Sequence, residues 1–444
     1  MNKLNNPLRR ELVNEGNLTS FIIKQIFQGL LFSYLFLIPV FVQAQKFDLL
    51  IKSGHVIDSK NNIDSKMDIA IHNGKIVKIG NDIPENQFIK VINAKGYLVT
   101  PGLINIHTHS FVGSKPNTFA DGVLSVSPDD FTLRSGITTV VDAGTSGWRN
   151  FPQFKSQVID QSKTRILSFL NIFGSGLTGQ WPALSGFPGL DDIDTEGMSE
   201  VIQKYPDVIV GIVIGHYHGK EWVPFDKGIQ VANSSKIPIL VECLLPELAY
   251  ENILEMLRPG DIVTHAYQNV AERKPVPNDK RKTLVNEAGL VQPFILKARE
   301  KGILFDVGHG GAGFWFSQAI PAVKQGFLPD SFGMDLHRFS MNAGMKDMLN
   351  IMSKFLAMGM SVTDIIARAT WLPAKSIKQY NLGHLTEGAV ADLAILSIEN
   401  GNFGFIDAAG IKIQGNRKFQ AEMTIRDGKV LWDLNGLSAI DYNP

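Results

Sequence analysis

The 444-residue chain contains a single cysteine, Cys243, so no internal disulfide can form and the fold must stand on its core alone. It also lacks a charge excess: 43 basic residues face 43 acidic ones. No net field draws the chain to nucleic acid or anionic lipid, and no basic patch is interleaved with aromatics, so a nucleic-acid partner is not expected. Missing as well are a Gly-x-Ser-x-Gly elbow and a phosphate-cradling Gly-rich loop with its lysine, which removes the serine-hydrolase and nucleotide-hydrolase readings. After Val42 no run is long and apolar enough to span a bilayer.

What is present fits a globular enzyme. Apolar residues make up 44% and charged residues 19%, far from disordered or fibrous compositions. The length calls for one large α/β domain and a smaller satellite. At the N-terminus, Arg9, Arg10 and Lys24 precede an apolar run from Ile26 to Val42, which ends in Val42-Gln43-Ala44. This is a signal-peptide layout with cleavage after Ala44, and an uncleaved membrane anchor is the competing reading. Residues 1–44 are therefore expected to be a signal peptide of an exported protein, periplasmic or secreted, with no stable membrane insertion after cleavage.

From Phe47 to about Lys95, short Ile- and Val-rich runs are punctuated by Gly54, Gly74, Gly80 and Gly96, which reads as hairpins of an antiparallel sheet. The same texture returns after residue 390, so residues 45–97 and 383–444 are expected to form one composite β-sandwich. Between them, residues 98–382 alternate strand-like runs with segments of helical length. The strand candidates are LVTPGLINIH, GITTVVDA, RILSFLNI, VIVGIVIG, IPILVEC, GDIVTHA, ILFDVG and SFGMDL. Eight such runs suggest a (β/α)8 TIM barrel; the rival open sheet would carry a Gly-rich turn after its first strand, and none is there. WPALSGFPGLDD reads as a long loop at the barrel mouth. The Met-rich MKDMLNIMSKFLAMGM has apolar residues at helical spacing and reads as a core-facing helix after the eighth strand.

The strongest chemical signal is PGLINIHTHS. Two histidines at i and i+2 of a strand share a face, so His107 and His109 can both aim inward at the strand's carboxyl end and bind one divalent metal. An isolated His-x-His is common by chance. Its place after a Pro-Gly turn and a β-rich leader turns the reading toward metal.

With these stretches in view, the chain resembles the amidohydrolase superfamily over nearly all its length after the signal segment, in the deacetylase-like branch often labelled dihydroorotase. The stretches that carry the resemblance are DLLIKSGHVID, PGLINIHTH, RPGDIVTHAYQ, FDVGHGGAGF, MNAGMKDMLNIMSKFLAMGM and LGHLTEGAVADLAIL. The resemblance implies metal ligands from the first-strand His-x-His, a carboxylated lysine or acidic residue on the fourth strand, histidines on the fifth and sixth, and an aspartate on the eighth. His265 matches the sixth-strand histidine and Asp335 the eighth-strand aspartate. An acidic residue ending an apolar strand also needs a cation or donor on physical grounds.

Two positions depart from that pattern. Val213 stands where the bridging lysine is implied, and Glu242 and Cys243 stand where a histidine is common. Glu242 is preferred as a hard oxygen ligand able to bind one ion or bridge two, with the Cys243 thiolate as the alternative. One ion is expected, zinc first, and a second depends on Glu242. His216 and His218 follow the altered strand and could compensate or face substrate. His309 reads as a substrate-positioning group or hydrogen-bond donor, with a structural role equally open. His337, Asn342, Tyr217 and Trp222 are weaker candidates for the same mouth.

The resulting expectation is a metal-dependent hydrolase that cleaves an amide or ester bond of an N-acyl or related small molecule, with Asp335 as proton carrier. Cyclic-amide hydrolysis is the chemical alternative. A degenerate, ligand-binding member follows from Val213. A homo-oligomer is compatible with such a barrel.

Overall fold

The computed structural model describes residues 46–111, 125–177, 189–217, 219–242, 248–273 and 282–442. The signal segment, Cys243, His218 and most of the 181–192 loop lie outside them. Among the described residues no helix is long and apolar enough to cross a membrane.

Both chain ends contribute to one eight-stranded sheet. Its strands are β1 (Phe47–Asp58), β2 (Ile63–His72), β3 (Lys75–Gly80), β4 (Phe88–Asn93) and β5 (Leu98–Pro101), joined by β13 (Leu393–Ile406), β14 (Lys412–Arg426) and β15 (Lys429–Asp433). The order is β15-β14-β13-β5-β1-β2-β3, with β4 also beside β1. β13 runs antiparallel to β5, placing Ile395 opposite Val99. One apolar cluster is thus built from both ends, with Leu49, Ile51, Ile69 and Val99 against Leu393, Ile395, Met423 and Ile425.

The leader is not a pure antiparallel meander. β1 is antiparallel to β2 but parallel to both β4 and β5. A register shift between Ile51 and Gly54 divides β1, so its first half pairs with β4 and its second half with β5. Gly54 allows this because a β-carbon there would lie 2.3 Å from Val99 Cγ2.

The second sheet is parallel throughout. Its order is β12 (Leu304–Phe305), β11 (Ile262–Thr264), β10 (Ile239–Glu242), β9 (Ile209–Ile214), β8 (Arg165–Asn171), β7 (Ile137–Gly147) and β6 (Leu103–Thr108). β6, β7, β9 and β10 are buried at every residue, as a parallel sheet covered on both faces requires. Helices such as Thr195–Lys204, capped by Asp194, and Val223–Ser235 pack against it. The Met-rich segment forms the helix Met348–Ala357, with Met348, Ile351, Met352 and Phe355 buried. From Phe47 onward the chain is one compact unit.

Two expected strands differ. The first candidate run is split: β5 belongs to the terminal sheet and β6 starts the parallel one, with Gly102 packed where a β-carbon would strike Thr138. The eighth, SFGMDL, forms isolated parallel bridges on both sides, Ser331 to Asp306 and Leu336 to Thr108. Side chains take the donors that a regular ladder would use. Asp306 accepts from the Gly333 amide (2.7 Å) and Asn105 from the Met334 amide (3.0 Å).

Candidate metal centre

At the carboxyl edge of the parallel sheet, the alternation of β6 is broken. Its register against β7 slips by one residue between Asn105 and Thr108, a bulge that re-aims the strand's last residues. His107 and His109 emerge there, both buried.

Each of these imidazoles is held by a threonine that leans on a buried aspartate. His107 Nδ1 lies 2.8 Å from Thr264 Oγ1, which donates to Asp306 Oδ2 at 2.7 Å. His109 Nδ1 lies 3.3 Å from Thr145 Oγ1, which donates to Asp142 Oδ2 at 2.7 Å. Each threonine spends its proton on the aspartate, so its oxygen accepts from the imidazole Nδ1–H. His265 Nδ1 donates to the Gly308 carbonyl at 2.5 Å. All three rings consequently use Nδ1 as the donor and turn Nε2 to the centre, the orientation that a metal ligand needs.

The carboxylates come from β10 and the 330–336 segment. Glu242 Oε1 lies 3.6 Å from His107 Nε2 and 4.0 Å from His265 Nε2. Asp335 Oδ1 lies 3.5 Å from His107 Nε2 and 3.2 Å from His109 Nε2. Three sets have ligand atoms within 4.8 Å of one another: His107, Glu242 and His265; His107, His109 and Asp335; His109, His216 and Glu242. His216, His265 and Asp335 all adopt positive φ, at 54°, 57° and 49°. Such a conformation costs a non-glycine residue of order 1–3 kcal/mol, and three instances around one point mark strain held for placement.

Electrostatics agree. Burial resists charging His107, yet Asp335, Asp306 and Glu242 outweigh it and push its pKa up to about 10. Burial likewise resists ionising Glu242 and Asp335, yet the surrounding histidines hold both carboxyls well below the usual range. The pocket favours added positive charge. His107 Nε2 is buried without a hydrogen-bond partner, an orphan that a cation would satisfy. The residues present therefore fit a divalent metal.

The remaining sequence candidates separate. His216 joins the cluster through Glu242: its amide donates to Oε2 at 3.2 Å and its Nε2 lies 3.3 Å from the same oxygen. Tyr217 spends its hydroxyl on Glu221 at 2.6 Å, and burial with that partner pushes its pKa up to about 12. Trp222 packs on Phe225, and Asn342 is exposed. Val213 is buried among Ile104, Val141 and Leu240 and carries no polar atom toward the centre. His309 is fully buried with both nitrogens engaged, Nδ1 on the Gly310 carbonyl and Nε2 on Lys354, so a direct donor role would require breaking a contact. His337 is better placed. Its Nδ1 accepts the Phe339 amide, which leaves Nε2–H directed at Asp335 Oδ2, 3.6 Å away.

Asp142, Thr145, Thr264, Asp306 and Lys354 do not stand out in the sequence. The two aspartates are within reach of the rule that selects Asp335, since both are acidic residues inside apolar strand runs.

A parallel α/β sheet that gathers a His-x-His pair, a further histidine and two carboxylates at its carboxyl edge is the setting of a metal-dependent hydrolase. The profile of the Amidohydrolase family matches residues 316–431. A deacetylase of Brucella anthropi is 30% identical over 370 residues, covering 82% of this chain and 87% of that one. The crystal structure of an adenine deaminase superposes with a TM-score of 0.76 at 26% identity, over 87% of this chain and 100% of that one. That of a dihydroorotase gives 0.74 at 26% identity, over 87% and 99%. The chain belongs to the amidohydrolase family, in its deacetylase-like branch, and is a metal-dependent hydrolase acting on C–N bonds.

Proposed function

We propose that this centre hydrolyses the amide bond of an N-acyl or related small molecule. The observation that carries the reading is the gathering of the His109 and His265 Nε2 atoms and two carboxylates around the orphaned His107 Nε2. His107, His109, His265 and Glu242 would hold the ion, and zinc suits a set of imidazoles and carboxylate. Such an ion lowers the pKa of water to about 7 and polarises a carbonyl. Asp335 accepts the proton released by the attacking water and returns it to the leaving amine. His337 Nε2–H, beside Asp335, steadies the substrate oxygen. His216 guards the open side of Glu242.

The finer architecture belongs to the same reading. The bridges at Ser331 and Leu336 support an eighth strand that closes a (β/α)8 barrel, and the shared terminal sheet supports a β-sandwich satellite. The basic N-terminal flank, apolar run and Val42-Gln43-Ala44 ending support export by cleavage after Ala44. Val213 alone favours a second reading, a binder without turnover.

The test is Asp335→Asn. Metal content should stay at one ion or more per chain while kcat falls by about 10²–10⁴-fold. Full activity in that variant, or activity in metal-free protein, would refute the proposal. A panel of N-acyl and cyclic amides separates the substrate classes.

A further inference from the structure

Lys354 is completely buried on the helix Met348–Ala357, and the proposed hydrolysis leaves it unused. Its ammonium lies 2.6 Å from His309 Nε2 and 2.7 Å from the Gly344 carbonyl, and 5.6 Å from the centre of the Phe314 ring. Among the described residues it pairs with no carboxylate; burial, with the field of Lys346, pushes its pKa down to about 7 against the fields of Asp407 and Asp347. A buried amine met by a neutral ring, a carbonyl and an aromatic face is a costly device.

The direction of its contact with His309 is set by the other nitrogen. His309 Nδ1 is 2.9 Å from the Gly310 carbonyl, which can only accept, so the ring proton is on Nδ1. His309 Nε2 is then a lone pair, and Lys354 must be the donor. The ring is further fixed by stacking on Phe314, with centroids 4.9 Å apart and planes at 20°.

What His309 anchors is the Gly308–Gly313 turn, which touches the metal centre twice. The Gly308 carbonyl accepts from His265 Nδ1 at 2.5 Å. Gly310 lies so close to Asp335 that a β-carbon on it would sit 1.9 Å from Oδ2. The amides of His309 and Gly310 also bond to the Gly333 and Met334 carbonyls, on the segment that carries Asp335.

We propose that Lys354 is a positioning residue for this hydrolase: by donating to His309 Nε2 it pins the Gly308–Gly313 turn, and through it the aim of His265 and Asp335. The inference rests on the proposed function. It is separated from it by the Asp335→Asn variant, whose activity fails the function whatever Lys354 does.

The experiment compares Lys354→Met with the unaltered holoenzyme under saturating metal. Methionine keeps most of the length and removes the donor together with its charge. Expected are a 10- to 100-fold fall in kcat, the range for groups that orient metal ligands, with KM within about three-fold and a thermal midpoint within a few degrees of the parent, because the relieved desolvation of Lys354 offsets the His309 and Gly344 acceptors left unpaired. Adding Lys354→Met to His309→Gln should cost little more in kcat, since the lysine acts through that ring. Unchanged kcat, additive losses, or a loss confined to KM would each overturn the assignment. If Lys354→Met does not fold, imidazole 15N spectra of the unaltered protein decide, with His309 assigned by its loss in His309→Gln. A ring protonated on Nδ1 with a hydrogen-bonded Nε2 lone pair supports the pin, and an Nε2–H ring overturns it.

Discussion

At the scale of single residues, the centre depends on groups that never reach its middle. Thr264 stands between His107 and Asp306, and its hydroxyl accepts the His107 Nδ1–H and fixes the tautomer from that side. Thr264→Val keeps the shape and removes the link, leaving the His107 Nδ1–H without its acceptor. Metal affinity should fall 10- to 100-fold, and stability by about 1–3 kcal/mol for the buried groups left unpaired. Competition with a chromophoric chelator measures the first and denaturant unfolding the second. Thr145→Val should do less, because its bond to His109 is longer at 3.3 Å. An unchanged affinity in Thr264→Val would show the relay to be idle. The candidate ligands were readable: a strand-end His-x-His after a Pro-Gly turn, and a polar residue closing an apolar run, as at His265, Glu242 and Asp335, stand out in sequence. The relays were not, because a threonine in a strand is ordinary, and only the pairing of β11 with β10 and β12 brings Thr264 under His107 and against Asp306.

At the scale of elements, the sequence conveyed the kinds of segment better than their edges. Parallel strands buried on both faces announce themselves as continuous apolar runs, and β8 to β11 fall within the expected stretches, while β7 runs past its own, from Ala143 on to Gly147. The boundary at Pro101-Gly102 was hidden because β5 and β6 are equally apolar and differ only in which sheet receives them. The eighth segment looked like any strand, since nothing local shows that Asp306 and Asn105 will occupy its amides. Strand ends also set ligand positions through glycine. β9 ends before Gly215, where a β-carbon would lie 2.9 Å from Glu242 Cδ and Oε2. Gly215→Ala should therefore push the carboxylate off its position between His107 and His216, lowering metal occupancy at limiting metal and costing about 1–3 kcal/mol as an overpacked site. Elemental analysis after dialysis reads the first effect. Full occupancy would mean that Glu242 is not a ligand and that the centre is held by His107, His109, His265 and Asp335.

At the scale of the whole molecule, the residues around His107 join elements far apart in sequence: β6, β10, the ends of β11 and β12, and the 330–336 segment that bridges the two edges of the parallel sheet. That segment is held to those edges by isolated bridges and main-chain bonds, with Asp306 and Asn105 taking two of its amides, and a cation at the centre would add to them. In the absence of a cation, Glu242 and Asp335 stand ionised in a buried space with His107 drawn toward protonation between them, an arrangement that solvent in an unfolded chain would relax. A metal that binds the assembled centre and not the unfolded chain stabilises by mass action, about 2.7 kcal/mol when free metal is 100 times the Kd. For a unit of this size that corresponds to a rise of roughly 3 °C in the thermal midpoint, and to more as binding tightens. Calorimetry with and without a chelator should show this rise, its reversal on re-addition of metal, and its loss in His107→Ala, where the shared nitrogen is gone. A midpoint indifferent to chelation, in protein proven free of metal, would mean that the strand ends hold their geometry unaided; the strain at His216, His265 and Asp335 would then be borne by backbone bonding alone.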